Sequence, residues 1–293
     1  MRLPAAVLSI FAGLFWLCAS DVTDKFPPWN AAFLVTFNRG DPTDRSWTAS
    51  NGTLTSGASI GNDTFCTFDG TDDYVDFGAN AAHAVLPISV SLWFNTLSQD
   101  QVAYATMVGK YVSASFNGWF IFMDTSERVV GFYSRDASNY TGGDIRLLSP
   151  ASYKDSSWHQ MVMVAESSGS SLYIDGALVA PTLVGTATSL LASAASLQVG
   201  SGTSLGTFIP FLNFTGGIGH VAIWARALTS GEISQMSAAL QGTTLTTNAA
   251  YLKVLGWRNQ ATGAVIDAGV TDNVSSKTFN SGSLASFLGE ISD

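Results

Sequence analysis

The chain has 293 residues, 13 Lys and Arg against 22 Asp and Glu, a formal charge of −9 and a charged fraction of only 12%. A hydrophobic share of 46% is enough to build a core in one large domain or two modest ones. It excludes disorder across the whole chain, because disordered chains are apolar-poor and charge-rich. The acidic balance offers no basic footprint for nucleic-acid phosphates or an anionic membrane surface, leaving a sugar, a cation or another protein as partner.

The predicted elements begin with a leader. Met1-Arg2 is a short positive start, Ala5 to Cys18 is apolar except Ser9, and Cys18-Ala19-Ser20 supplies small residues before a cut at Asp21. Residues 1–20 are therefore expected to be a secretory signal peptide. A membrane anchor needs about 20 apolar residues, and Asp21 and Asp24 close this run too early. Loss of Arg2 would take the charge from −9 to −10. The mature chain is expected to be secreted, with no membrane insertion after cleavage.

Residues 31–37 read as a first strand, and 38–62 as a polar loop with a hairpin. Strand-like runs then recur with turn signals between them. Phe65 to Phe68 stops at Asp69-Gly70, and Tyr74 to Phe77 stops at Gly78. Ile88 to Phe94 alternates, placing Ile88, Val90, Leu92 and Phe94 on one face. Trp119–Met123 and Val129–Ser134 form the next pair, followed by Trp158–Val164. Leu172–Ile174 and Ala177–Val179 flank Asp175-Gly176, the strongest two-residue hairpin signal in the chain. Leu197–Gly200 and Gly217–Trp224 end the series. Trp93, Trp158 and Trp224 are expected to fill the layer between two sheets.

One helix is expected. Thr229 and Glu232 have capping-box spacing, and Ile233, Met236 and Leu240 form an apolar stripe behind them. Scarcity of other helices fits the composition: the chain holds four Glu and five Lys, while Gly, Ser, Thr and Asp dominate its polar part. Residues 241–293 change character, rich in Thr, Ser and Gly. Strands at 251–257 and 264–266 and a short helix at 283–291 are expected there. The mature chain keeps one cysteine, Cys66, expected to be a buried small hydrophobe.

The order of segments resembles the LamG-like jellyroll domains of the concanavalin A-like lectin/glucanase superfamily. The pieces that carry it are Phe68-Asp69-Gly70-Thr71-Asp72-Asp73-Tyr74-Val75, Val90-Ser91-Leu92-Trp93-Phe94, Trp158-His159, Leu172-Tyr173-Ile174-Asp175-Gly176, and Gly216 through Thr229. Ala32–Asn38 is similar to the family's opening strand, and Gly52–Gly57 to the hairpin that follows it. The resemblance covers residues 31–240. It implies an all-β fold: a two-sheet antiparallel jellyroll sandwich, with one short helix and 241–293 as a C-terminal extension.

The resemblance also implies glycan chemistry, and the residues bear on which kind. Glucanase relatives place their catalytic carboxylates at alternate positions of one strand. Here the four Glu are isolated, and no such run exists. Three His with one mature Cys argue against zinc. The chain is therefore expected to be non-catalytic, binding an extracellular glycan or glycoprotein. A structural or adhesive protein binding other proteins, and a hydrolase with carboxylates from separated loops, are the alternatives. Its acidity favours a neutral sugar or a basic partner over anionic glycosaminoglycans.

Sugar binding calls for exposed aromatics, and Trp119 and Tyr140 are the ligand-binding candidates. Many relatives hold calcium at a rim. Asp69, Asp72 and Asp73 are the metal candidates, alongside the plainer reading of turn formers and solvated strand ends. Departures from the family pattern are Gly219-His220 after Ile218, and Asn38 where an Asp is common. Sequons at Asn51, Asn62, Asn139, Asn213 and Asn273 are candidate glycosylation sites for a eukaryotic secretory route. Arg39-Gly40-Asp41 reads as ordinary turn chemistry.

Overall fold

The computed structural model describes residues 31–238 other than 36, 38–40, 45, 47, 62–64, 113–116, 135–143, 185–189, 191 and 203–211, together with 272–274 and 277–279. The strands, in chain order, begin with β1 (Phe33–Val35), β2 (Thr53–Thr55), β3 (Ser59–Gly61), β4 (Phe65–Asp69), β5 (Tyr74–Asp76) and β6 (Ile88–Asn95). Next come β7 (Ala105–Val112), β8 (Asn117–Met123), β9 (Arg128–Ser134), β10 (Asp144–Ser152), β11 (His159–Glu166) and β12 (Gly169–Ile174). The sandwich ends with β13 (Ala177–Val179), β14 (Thr182–Val184), β15 (Gln198–Val199), β16 (Leu212–Asn213) and β17 (Thr215–Trp224). A helix spans Ser230–Ala238. Asp272–Val274 and Lys277–Phe279 pair as an isolated hairpin.

These strands form two sheets. The eight-stranded sheet runs β13-β12-β11-β6-β17-β4-β3, with β1 also on β17. The nine-stranded sheet runs β14-β10-β9-β8-β7-β15-β5-β2, and β16 pairs with β7 in parallel. The rest of the pairings are antiparallel, giving the expected jellyroll sandwich. Among the described residues, no helix is long and apolar enough to cross a membrane.

Alternation decides what each face buries. Ile88, Val90, Leu92 and Phe94 of β6 enter the inter-sheet core, where they join Met161 and Met163 of β11 and Trp119, Ile121 and Met123 of β8. Cys66 lies in this core with no exposed surface, as its position in an alternating strand predicts. Burial, then the charge of Asp73, pushes its thiol pKa up to about 12.

Three of the tryptophans correct the sequence expectation. Trp93, Trp158 and Trp224 sit on the opposite face of the eight-stranded sheet, in a second cluster with Leu228, Ile233 and Met236. The period-two rule is the reason: if Leu92 and Phe94 face inward, Trp93 must face outward. The helix then covers that outer face. Its capping box forms as expected, with Glu232 N donating to Thr229 Oγ1 at 3.2 Å and Thr229 N donating to Glu232 Oε2 at 2.8 Å.

Two other expectations change. The predicted hairpin after residue 52 is not a hairpin: β2 pairs with β5 in one sheet and β3 with β4 in the other. The turn at Ser56, in the left-handed region at φ 63°, carries the chain between sheets. Strands β7 and β10 were not anticipated. A register irregularity between Thr106 and Val108, with Gly109 and Lys110 following, blurs the alternation of β7. The Asp175-Gly176 hairpin does form, with both residues at positive φ (53° and 79°). A Cβ on Gly176 would meet Ser237 Cβ at 2.4 Å, so this turn also needs glycine to seat the helix. The signal peptide and the elements expected at 251–257, 264–266 and 283–291 lie outside the described residues.

Candidate functional site

Strand β8 is apolar on both faces. Trp119, Ile121 and Met123 point into the sandwich, so Phe120 and Phe122 point away from it. Register then builds rows of side chains across this outer face. Phe120 stands beside Phe132 and Phe132 beside Arg146, while Phe122 stands beside Val130 and Val130 beside Leu148. Tyr111, Phe120, Phe122, Val130 and Phe132 form one cluster, with Tyr104 and Leu148 partly buried against it. Phe120 and Phe132 lie 4.6 Å apart between ring centroids, and the Arg146 guanidinium sits 5.9 Å from the Phe132 centroid.

At one end of this layer is a cleft of about 230 Å³. It is lined by Ala103, Tyr104, Phe122, Asp124, Thr125, Val130, Arg146 and Leu148. Tyr104 and Phe122 meet at 5.2 Å with their planes 41° apart, giving an aromatic wall beside polar groups. The backbone of the loops before β7 and β9 is unusual. Leu97, Ser98, Tyr104 and Glu127 all hold positive φ, between 53° and 62°. For residues with a Cβ this conformation costs roughly 1–3 kcal/mol each and persists only where neighbours over-determine it.

Those neighbours are visible. Gln101 N donates to Glu127 Oε1 at 3.1 Å, and its side chain exchanges hydrogen bonds with both the N–H and the carbonyl of Thr215. Leu97 N donates to Asn95 Oδ1, and Ser98 N to the Asp155 carbonyl. Asp124 is consumed by its own turn: Ser126 N and Arg128 N donate to Oδ1, and Arg128 Nε and Nη2 to Oδ2.

Asp155 also serves a second group, in the eight-stranded sheet. His159 Nδ1 lies 2.8 Å from Asp175 Oδ2, and its Nε2 lies 3.2 Å from both oxygens of Asp155. Burial alone would lower the His159 pKa. The hydrogen bond and charge of Asp175, then those of Asp155, outweigh it and hold the pKa above the ordinary histidine value.

The sequence-derived candidates fall in different places. Trp119 is fully buried in the inter-sheet core, and its Nε1 donates to the His83 carbonyl at 2.7 Å. A ring so enclosed offers no face to a sugar, so Trp119 is a core residue. Tyr140, Asn62 and Asn139 lie outside the described residues. Asn51 is exposed, with its Oδ1 accepting from Asp44 N at 3.0 Å. Asn213 is half-buried in β16 and donates to the Thr71 carbonyl. Asn273 lies in the isolated hairpin.

Asp69, Asp72 and Asp73 do come together: one carboxylate oxygen of each lies within 4.8 Å of the others. Asp69 Oδ1 accepts from Thr71 N at 2.7 Å, and Asp73 Oδ2 from Asp69 N at 2.9 Å. Asp73 is buried, and its Oδ1 has no hydrogen-bond partner. Such hard oxygens fit calcium in kind, and three carboxylates supply part of the about six to eight oxygens it takes.

Tyr104, Phe122 and Arg146 were missed. The signal for Phe122 was present in Trp119-Phe120-Ile121-Phe122-Met123, a strand apolar at every position, which requires cover on both faces. No local signal marks Tyr104 or Arg146, because their neighbours in the cleft come from other strands.

A sequence profile of the concanavalin A-like lectin/glucanases superfamily matches residues 69–234, and the chain belongs to that superfamily. Solved structures share the fold at low identity. The binding domain of botulinum neurotoxin DC in complex with SialylT is similar at a TM-score of 0.55 and 14% identity, over 74% of this chain and 53% of that one. Domain 4 of AbnA, an extracellular arabinanase from Geobacillus stearothermophilus in complex with arabinotriose, is similar at 0.50 and 15%, over 70% and 97%. Trypanosoma rangeli sialidase in complex with sialic acid is similar at 0.51 and 14%, over 74% and 34%. This chain thus spans about half of the toxin domain and a third of the sialidase. No curated protein matches it in sequence.

Proposed function

We propose that this protein is a secreted, non-catalytic module that binds extracellular glycan or glycoprotein through the cleft beside Tyr104. The observation that carries the reading is the cleft itself. An aromatic wall, Tyr104 over Phe122, stands beside the polar side chains of Thr125 and Arg146, with Tyr104 held at positive φ in its loop. Sugar recognition needs this combination, an aromatic face for the apolar side of a ring and polar groups for its hydroxyls. The superfamily includes both lectins and glucanases, and solved structures of the fold hold arabinotriose and sialic acid.

Binding without hydrolysis is favoured by the carboxylates. Retaining hydrolysis uses two carboxyl groups about 5 Å apart. Among the lining residues the carboxylate is Asp124, and both its oxygens already accept hydrogen bonds from Ser126 and Arg128. Calcium at Asp69, Asp72 and Asp73 would brace the neighbouring turn rather than touch the cleft.

The test is a broad glycan array probed with the full chain and with Tyr104→Ala. Selective binding that weakens about tenfold in the variant, the scale of one lost aromatic contact, supports the reading. A folded protein that leaves the array blank overturns it.

A further inference from the structure

The loop that leads into β2 presents one sequon to solvent. Asn51 and Thr53 of Asn51-Gly52-Thr53 are both exposed. Between them Gly52 lies against the sandwich wall, where a Cβ would meet the Phe77 ring at 2.6 Å and Val75 Cγ1 at 2.8 Å. Its N–H donates to the Pro42 carbonyl at 2.9 Å. The tripeptide is thereby pinned at its middle residue while the residues on either side face solvent. The Asn51 amide is also oriented. A backbone N–H can only donate, so the atom 3.0 Å from Asp44 N is the Asn51 carbonyl Oδ1. Nδ2 occupies the other arm of the amide, and among the described residues no group accepts from it. Asp44 is itself braced, its carboxylate accepting from Leu34 N, Ser46 N, Ser50 N and Thr48 Oγ1.

Asn213-Phe214-Thr215 is held in the opposite way. A carbonyl can only accept, so the Asn213 atom on the Thr71 carbonyl is Nδ2. Phe214 is fully buried, and the N–H and carbonyl of Thr215 are both taken by the Gln101 side chain. The nitrogen that a sugar would need is turned onto the turn between β4 and β5. We infer that Asn51 is an N-glycosylation site and that Asn213 is not. The inference rests on the secreted part of the reading above and is independent of the cleft. Asn51 Nδ2 would bond to C1 of an oligosaccharide that the secretory route supplies as its lipid pyrophosphate. The C1–O bond to the pyrophosphate breaks, the lipid pyrophosphate leaves, and Nδ2 gives up one proton. Oδ1 takes no part in the new bond, so the hydrogen bond from Asp44 N survives and the folded loop accepts the sugar.

The experiment secretes the full chain from a eukaryotic host. Its peptides are compared by mass spectrometry before and after peptide-N-glycosidase, which leaves Asp in place of each glycosylated Asn. The Asn51 peptide should shift in nearly all secreted molecules, and the Asn213 peptide should not. Thr53→Ala removes the hydroxyl that the sequon requires and should abolish the Asn51 glycan. Thr53→Ser should keep it, and thermal melting confirms that each variant is folded. A secreted, folded chain bare at Asn51 would overturn the site alone. A glycan on Asn213 in folded protein would overturn the contrast between the two sequons. A chain that stays cytosolic and unmodified would overturn the secreted reading together with the site.

Discussion

The Trp119 indole Nε1 donates a 2.7 Å hydrogen bond to the His83 carbonyl, tying β8 to the short 3₁₀ turn Ala81–His83 across the sandwich. The His83 ring is buried and its Nε2 lies 3.1 Å from Thr48 Oγ1. Thr48 Oγ1 in turn donates to Asp44, whose carboxylate also accepts from Leu34 N, Ser46 N and Ser50 N. One tryptophan thereby locks the opening loop to the centre of the nine-stranded sheet. Trp119→Phe keeps most of the apolar volume but leaves a buried carbonyl unpaired. Urea denaturation should show a loss of about 1–3 kcal/mol, with glycan binding retained. Lost binding at unchanged stability would return Trp119 to the binding surface.

The pKa values of His83 and His159 are shifted in opposite directions. Burial pushes the His83 pKa down to about 4, with Asp44 opposing and Lys110 assisting. Its unfolded pKa is near 6.5, so the unfolded state binds more protons between those values. The stability that His83 contributes is full above about 6.5 and falls by about 3 kcal/mol as pH drops to about 4. His159 has a raised pKa. Its contribution is full below about 6.5 and is lost as pH rises through the folded value. NMR titration of the imidazoles checks both. Titration of His159 below 6.5, or of His83 at its ordinary value, would contradict the environments of Asp155, Asp175 and Tyr153 around one ring and Asp44 and Lys110 around the other.

Lys110 is fully buried, and its ammonium donates to the Ala195 carbonyl. Burial lowers its pKa to about 8. Lys110→Met relieves the desolvation of the ammonium but leaves the Ala195 carbonyl unpaired, so the two should offset and stability should stay within about 1 kcal/mol of the parent. A large loss would mean that the hydrogen bond to Ala195 outweighs the desolvation of the ammonium.

Cys66 should resist thiol reagents in the native state, because the thiolate is the reactive form and burial with Asp73 nearby raises its pKa to about 12. Labelling should appear only as the protein unfolds in denaturant. Fast labelling without denaturant would show that the inter-sheet layer opens locally.

Millimolar calcium should raise the melting temperature if Asp69, Asp72 and Asp73 hold the ion, since ligand bound only to the native state stabilises it by mass action. Asp73→Asn should abolish the shift. No shift in the parent protein would leave the three carboxylates as turn formers.

Local patterns carried much of the fold. The alternation of β6 named the core residues Ile88, Val90, Leu92 and Phe94, Asp175-Gly176 named a hairpin, and Thr229 with Glu232 named a helix start. Each depends on neighbours within a few residues, so the physics is present in the local sequence. The same alternation put Trp93 on the far side from Leu92, yet only the helix seated at Gly176 reveals that this far side is also buried.

The sequence by itself determined the class of fold, most of its strands and the inward position of Cys66, because strand pleat and turn conformation are short-range. Tertiary structure decided that β2 and β3 part into different sheets, that Trp119 is core, and that Tyr104, Phe122 and Arg146 share a cleft. Those three come from a loop and two strands that are not adjacent, since β9 stands between β8 and β10. Their meeting is set by sheet register, a long-range pairing that no window of neighbouring residues encodes.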